Sequence, residues 1–143
     1  MLVWNHIDLN LRGNMLKAQA AFSSLSVDNL DKAKQFYTQV LGLTLDDETM
    51  GLQLKLPNGG SMYIYDKADH QPATFTVLNF VVNNIDEAVD ELDRLGVIFE
   101  RYENMPGSQD KKGILRGLAA NQGPDIAWFK DPAGNILAVL QDK

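Results

Sequence analysis

Few side chains in this sequence have the type and spacing that catalysis or metal binding needs. The 143 residues include two histidines and no cysteine. Without cysteine there is no thiolate nucleophile, no thiolate metal site and no disulfide framework. His6 falls in a poorly patterned leader. His70 follows Asp69 in a polar stretch, and such a pair reads as solvated surface charge before it reads as a catalytic base. No serine occupies a nucleophile-elbow context. Gly59-Gly60 and Gly134 belong to turns, not to a phosphate-cradling loop ahead of a helix.

Composition narrows the field further. The net charge of −6 argues against nucleic acid as a partner and would suit a cationic ligand, although solubility alone accounts for it. No apolar run approaches the ~18 residues of a membrane span. Asp8 and Arg12 interrupt any signal-peptide core, so a cytoplasmic location is expected.

The elements that must position any site are written twice. Ala21–Val27 alternates as a strand. Asp28 or Asn29 caps a helix whose apolar stripe is Leu30, Ala33, Phe36, Tyr37, Val40 and Leu41, closed by Gly42. Leu43–Asp47, Gly51–Leu56 and Ser61–Asp66 read as three strands. Residues 67–73 form a polar linker, and the pattern restarts. Thr76–Val82 is a strand, and Asn84 and Glu87 have capping-box spacing. Ile85, Ala88, Val89, Leu92 and Leu95 make the second stripe, closed by Gly96. An offset of 55 residues superposes Val27 on Val82, Asn29 on Asn84, Asp31 on Asp86 and Ala33 on Ala88. An offset of 75 superposes the turn after Lys55 on the turn after Lys130, with Pro57 on Pro132 and Gly59 on Gly134.

The organisation is therefore a leader over 1–20, a first βαβββ module over 21–66, the linker, and a second module over 74–143. The growth in offset leaves the second module a long insertion at 104–124. Loops of that length without structure of their own are usually functional or disordered. A mobile segment that closes over a site is expected there, with Lys111, Lys112 and Arg116 on its rim.

The signature Leu25-Ser26-Val27-Asp28-Asn29-Leu30, Phe36-Tyr37 and Leu41-Gly42-Leu43, the repeat, and the closing Asp131-Pro132-Ala133-Gly134-Asn135 resemble the vicinal oxygen chelate superfamily. That superfamily includes glyoxalases, extradiol dioxygenases and the fosfomycin- and bleomycin-resistance proteins. The resemblance implies an α+β fold in which two βαβββ modules form a cupped mixed sheet with helices outside. It also implies metal ligands at four positions, which fall here on Phe22, Tyr63, Val77 and Ala138. None is a His, Gln, Asp or Glu, so neither metal nor other cofactor is expected.

Strand parity places Phe22, Ser24, Ser26, Gln53, Tyr63, Tyr65, Val77, Asn79, Val81, Trp128, Ala138 and Leu140 on the cup lining. Glu100 and Tyr102 follow if the strand after the second helix stays regular. The lining is aromatic with a few polar groups, the makeup of a small-molecule pocket; aromatic residues filling a second core is the alternative. The expected substrate-binding set is Phe22, Ser24, Gln53, Tyr63, Tyr65, Val77, Asn79, Tyr102, Trp128 and Ala138. The function expected is metal-free binding of a small organic molecule, as in the bleomycin-resistance branch. A metal-dependent lyase or dioxygenase, and a metal-free enzyme using a tyrosine as acid–base group, remain open. Resemblance and unpaired sheet edges together point to a homodimer.

Overall fold

The computed structural model describes residues 15–143; His6 and most of the leader lie outside them. The first module runs β1 (Ser23–Val27), α1 (Leu30–Gln35), β2 (Thr44–Asp47), β3 (Leu52–Lys55) and β4 (Ser61–Asp66). The second runs β5 (Thr76–Val81), α2 (Ile85–Arg94), β6 (Leu115–Arg116), β7 (Asp125–Lys130) and β8 (Ile136–Gln141). The strand orders β1-β4-β3-β2 and β5-β8-β7-β6 are the same arrangement twice. The first strand of each module runs parallel to the last, and the remaining pairs are antiparallel.

Local chemistry explains the repeat. Asn29 and Asn84 have extended backbones, and each side-chain oxygen accepts from the N–H three residues on, at 3.0 and 3.1 Å. That satisfies an otherwise orphan donor of the first helical turn. The two hairpins share one hydrogen-bond pattern. Leu56 N–H donates to Gly60 and Gly59 N–H to Leu56; Asp131 N–H donates to Asn135 and Gly134 N–H to Asp131. Gly134 has φ +86°, a conformation that an L side chain rarely adopts.

Three details depart from the simple pattern. The first helix does not run unbroken to Gly42; residues Phe36–Val40 form a π turn that carries Tyr37 into the core. The strands pair as two separate four-stranded sheets, with no ladder joining them among the described residues. The strand expected after α2 is reduced to a bridge between Phe99 and Phe129, and its continuation along β7 is β6, which comes from inside the insertion.

The insertion is correspondingly well tied down. The Gln109 amide donates to the Glu100 and Gly113 carbonyls and accepts from Tyr102 N–H. Asp110 accepts from the backbone of Lys112 and Ile114 and from Arg116. Arg116 also bonds both carboxylate oxygens of Asp86 on α2, at 2.8 and 3.0 Å. Lys112 pairs with Asp86 and Asp90. Two of the three cations assigned to a free rim, Lys112 and Arg116, are thus spent on α2. The anchors are side chains separated in sequence, which loop length and glycine content cannot reveal.

Both modules share one core. Leu25, Val27, Leu52, Leu54, Met62 and Ile64 of the first sheet meet Ala127, Phe129, Leu137 and Val139 of the second, with helix residues Ala33, Tyr37, Ile85 and Val89 among them. The rings of Phe36 and Phe129 cross the seam, with centroids 6.3 Å apart. A polar network crosses it too. Asp131, only 4% exposed, accepts from the Tyr37 hydroxyl at 2.7 Å, the Ala133 and Asn135 N–H groups at 2.9 Å, and the Asn135 amide at 2.8 Å. The Asn135 amide also donates to the Ser26 carbonyl. Four donors satisfy a buried carboxylate that enters no ion pair among the described residues. Burial, and then the Asp131 charge, push the Tyr37 hydroxyl far above the ordinary phenol range.

Candidate functional site

Because alternate residues of each strand enter the common core, the other face of each sheet is turned away from it. These two faces hold the residues that parity assigns to a cup. On the first sheet, Phe22 meets Tyr63 edge to face at 6.5 Å, and Tyr63 stacks on Tyr65 at 5.9 Å. Gln53 is the register partner of Tyr63, as is Ser24 on the other side. The Tyr63 hydroxyl donates to the Met50 carbonyl, which fixes its ring. Phe22 remains 65% exposed.

On the second sheet, Asn79, Ala138 and Trp128 stand in one cross-strand row. Tyr102 lies edge to face on Trp128 at 5.5 Å, although it belongs to no strand. Partial burial, and then the Glu100 charge, raise the Tyr102 phenol, so it is not tuned as an acid–base group near neutral pH. An open groove of about 600 Å³ follows this face, walled by Phe75, Thr76, Tyr102, Trp128 and Ile136, with Arg101, Glu103 and Met105 on its rim. The Arg101 guanidinium is occupied by the Asp110 and Lys111 carbonyls.

Two placements differ from the parity reading. A register shift between Thr76 and Leu78 leaves Val77 outside the ladder and packed against the core, while Thr76 lines the groove. A bulge breaks the two-residue period, so parity counted through it turns a residue the wrong way. The second difference is larger. The ring contacts group Phe22, Tyr63 and Tyr65 apart from Tyr102 and Trp128, and the groove is lined by second-module residues alone. The structure therefore brings the expected set together as two aromatic faces, not as one lining. Phe75, Thr76, Met105 and Ile136 escaped the sequence reading.

A resident divalent ion does not fit. Among the described residues there is no group of three His, Cys, Asp or Glu side chains placed to hold one. The Phe22, Val77 and Ala138 side chains carry no donor atom, and Tyr63 is already committed to Met50. No helix among the described residues is long and apolar enough to cross a membrane.

Paired βαβββ modules with an aromatic face on each define a class, and the sequence agrees with it. Residues 18–139 match the model of the Glyoxalase/Bleomycin resistance protein/Dioxygenase superfamily, and the chain belongs to that superfamily. No curated protein sequence matches the chain. Among solved structures, it is similar to TnmS3, an antibiotic binding protein from Streptomyces sp. CB03234. The identity is 21%, over 90% of this chain and 100% of that one, with a TM-score of 0.64. It is similar to a superfamily member from Sphaerobacter thermophilus DSM 20745, at 21% identity over 89% and 100% of the chains, TM-score 0.61. It is also similar to FosX, a fosfomycin resistance protein from Listeria monocytogenes, at 16% identity over 90% and 96%, TM-score 0.63. Likeness at this level speaks for the fold.

Proposed function

We propose that the protein binds a small, planar or partly aromatic organic molecule, without metal, against the Tyr102–Trp128 groove. The observation that carries this reading is the pairing of an open aromatic groove with side chains unfit to hold a metal, three without a donor atom and Tyr63 committed to Met50, at the positions where a metal-dependent relative would need ligands. Stacking on exposed rings gives affinity for a flat ligand, and the polar rim orients it. The likeness to TnmS3, an antibiotic binding protein, supports the same class of ligand.

The groove is open, and the cup is divided. We propose that a second copy closes it by setting the Phe22–Tyr63–Tyr65 face of one protomer opposite the Tyr102–Trp128 face of the other. Phe22, Phe75 and Val81, at 65, 68 and 64% exposed, would then be covered. So would the unpaired edges of β1 and β5. The test of binding is calorimetry with a panel of an acridine, an anthraquinone sulfonate and a flavin, on wild type and Trp128→Ala. The expected result is micromolar or tighter binding of at least one compound, weakened about tenfold or more by the substitution. Unchanged binding in Trp128→Ala would move the site elsewhere.

A further inference from the structure

We propose that Ser26 and His70 form a nucleophile–base pair that accepts the acyl group of activated aryl esters, an activity beyond ligand binding in the groove. Ser26 is the penultimate residue of β1, and His70 lies in the linker, 44 residues on. Ser26 Oγ and His70 Nδ1 are 2.6 Å apart. The other ring nitrogen, Nε2, lies 3.0 Å from the Ala133 carbonyl oxygen. A carbonyl only accepts, so Nε2 carries the hydrogen in the neutral ring. Nδ1 is then bare, and the Ser26 hydroxyl donates to it. The tautomer that makes His70 a base is fixed by the backbone.

The carbonyl holding Nε2–H takes the place that a carboxylate holds in a serine–histidine–aspartate triad, with the roles of the two ring nitrogens exchanged. Its peptide is polarised, because the Gly134 N–H on the other side donates to the Asp131 carbonyl. The buried Asp131 carboxylate lies one hydrogen bond beyond, on Ala133 N–H. Asp69 and Lys67, beside His70, are paired with each other.

Ser26 and Tyr65 are register partners, and Tyr65 stacks on Tyr63. An aryl ester lying on that stack presents its acyl carbon at the strand end where Ser26 stands. In the first step the Ser26 O–H proton moves to Nδ1, the Oγ–acyl bond forms, and the ester C–O bond breaks. The leaving phenolate takes its proton from His70 or from water. Water then hydrolyses the acyl-serine. Nothing beyond the ester and water is consumed.

The probe is p-nitrophenyl acetate on the full chain, read by intact mass and peptide mapping. One acetyl group on Ser26 is expected. It should be absent in Ser26→Ala and form at least about 100-fold more slowly in His70→Gln, which keeps a hydrogen-bonding side chain but not a base. If His70→Gln does not fold, the wild-type rate decides the base. That rate should fall in acid, as general-base assistance requires, and a flat pH profile would overturn the role. Acetylation only at lysines, or a Gln variant that reacts at the wild-type rate, would also overturn the proposal. The probe needs no completed cup, so failure here leaves ligand binding intact, and the reverse holds.

Discussion

Tyr37 and Asp131 stand 94 residues apart and share a 2.7 Å hydrogen bond inside the seam between the modules. Replacing Tyr37 with Phe leaves the buried carboxylate one donor short. Denaturant unfolding should show a loss of about 1–3 kcal/mol. A change indistinguishable from zero would mean that this hydrogen bond adds nothing to the seam. The same pair predicts an alkaline limit. The folded phenol is raised above its ordinary 10.0, so the bond contributes in full below pH 10.0 and is lost as pH rises beyond it. Absorbance at 295 nm should show one tyrosine ionising only when the chain unfolds. At this scale the sequence was least informative. The cap at Asn84 was legible, and the first was narrowed to Asp28 or Asn29, because capping is local. The contacts of Tyr37, Ser26 and His70 were not, because each partner is brought in by tertiary packing.

At the scale of elements, the insertion gives the sharpest prediction. Asp86 is held down to about 2, first by its hydrogen bonds to Arg116, against the opposing cost of burial, and then by Lys112. A carboxylate lowered in the folded state stabilises above its unfolded value of 3.8, and that contribution is lost as pH falls through about 2. Hydrogen exchange at residues 109–117 should therefore stay slow at pH 5 and accelerate between about pH 4 and 2. Asp86→Asn should accelerate it at pH 5. Fast exchange at pH 5 in the wild type would restore the picture of a mobile lid. The charges are partly exposed, so the effect on global stability should be small. Both hairpins were legible from their Pro and Gly spacing. The bulge at Val77 and the interrupted strand around Phe99 were not, since bulges and excursions shift register without changing residue type.

At the scale of the molecule, the α+β class and the two βαβββ modules follow from a pattern written twice, and that pattern was readable. Whether two sheets turn their aromatic faces toward each other or apart was not, because both arrangements bury the same alternating residues. The arrangement found predicts self-association. Light scattering at micromolar concentration should give about twice the chain mass of 15.9 kDa. A monomer at all concentrations would leave the groove open and contradict the shared cup. The central claim is that a flat organic ligand binds without metal. Its most direct test is calorimetry of the best compound from the dye panel on chelator-treated protein, repeated with zinc, nickel, iron or manganese added. One affinity and one stoichiometry are expected throughout. Binding that appears only after a metal is supplied would contradict it.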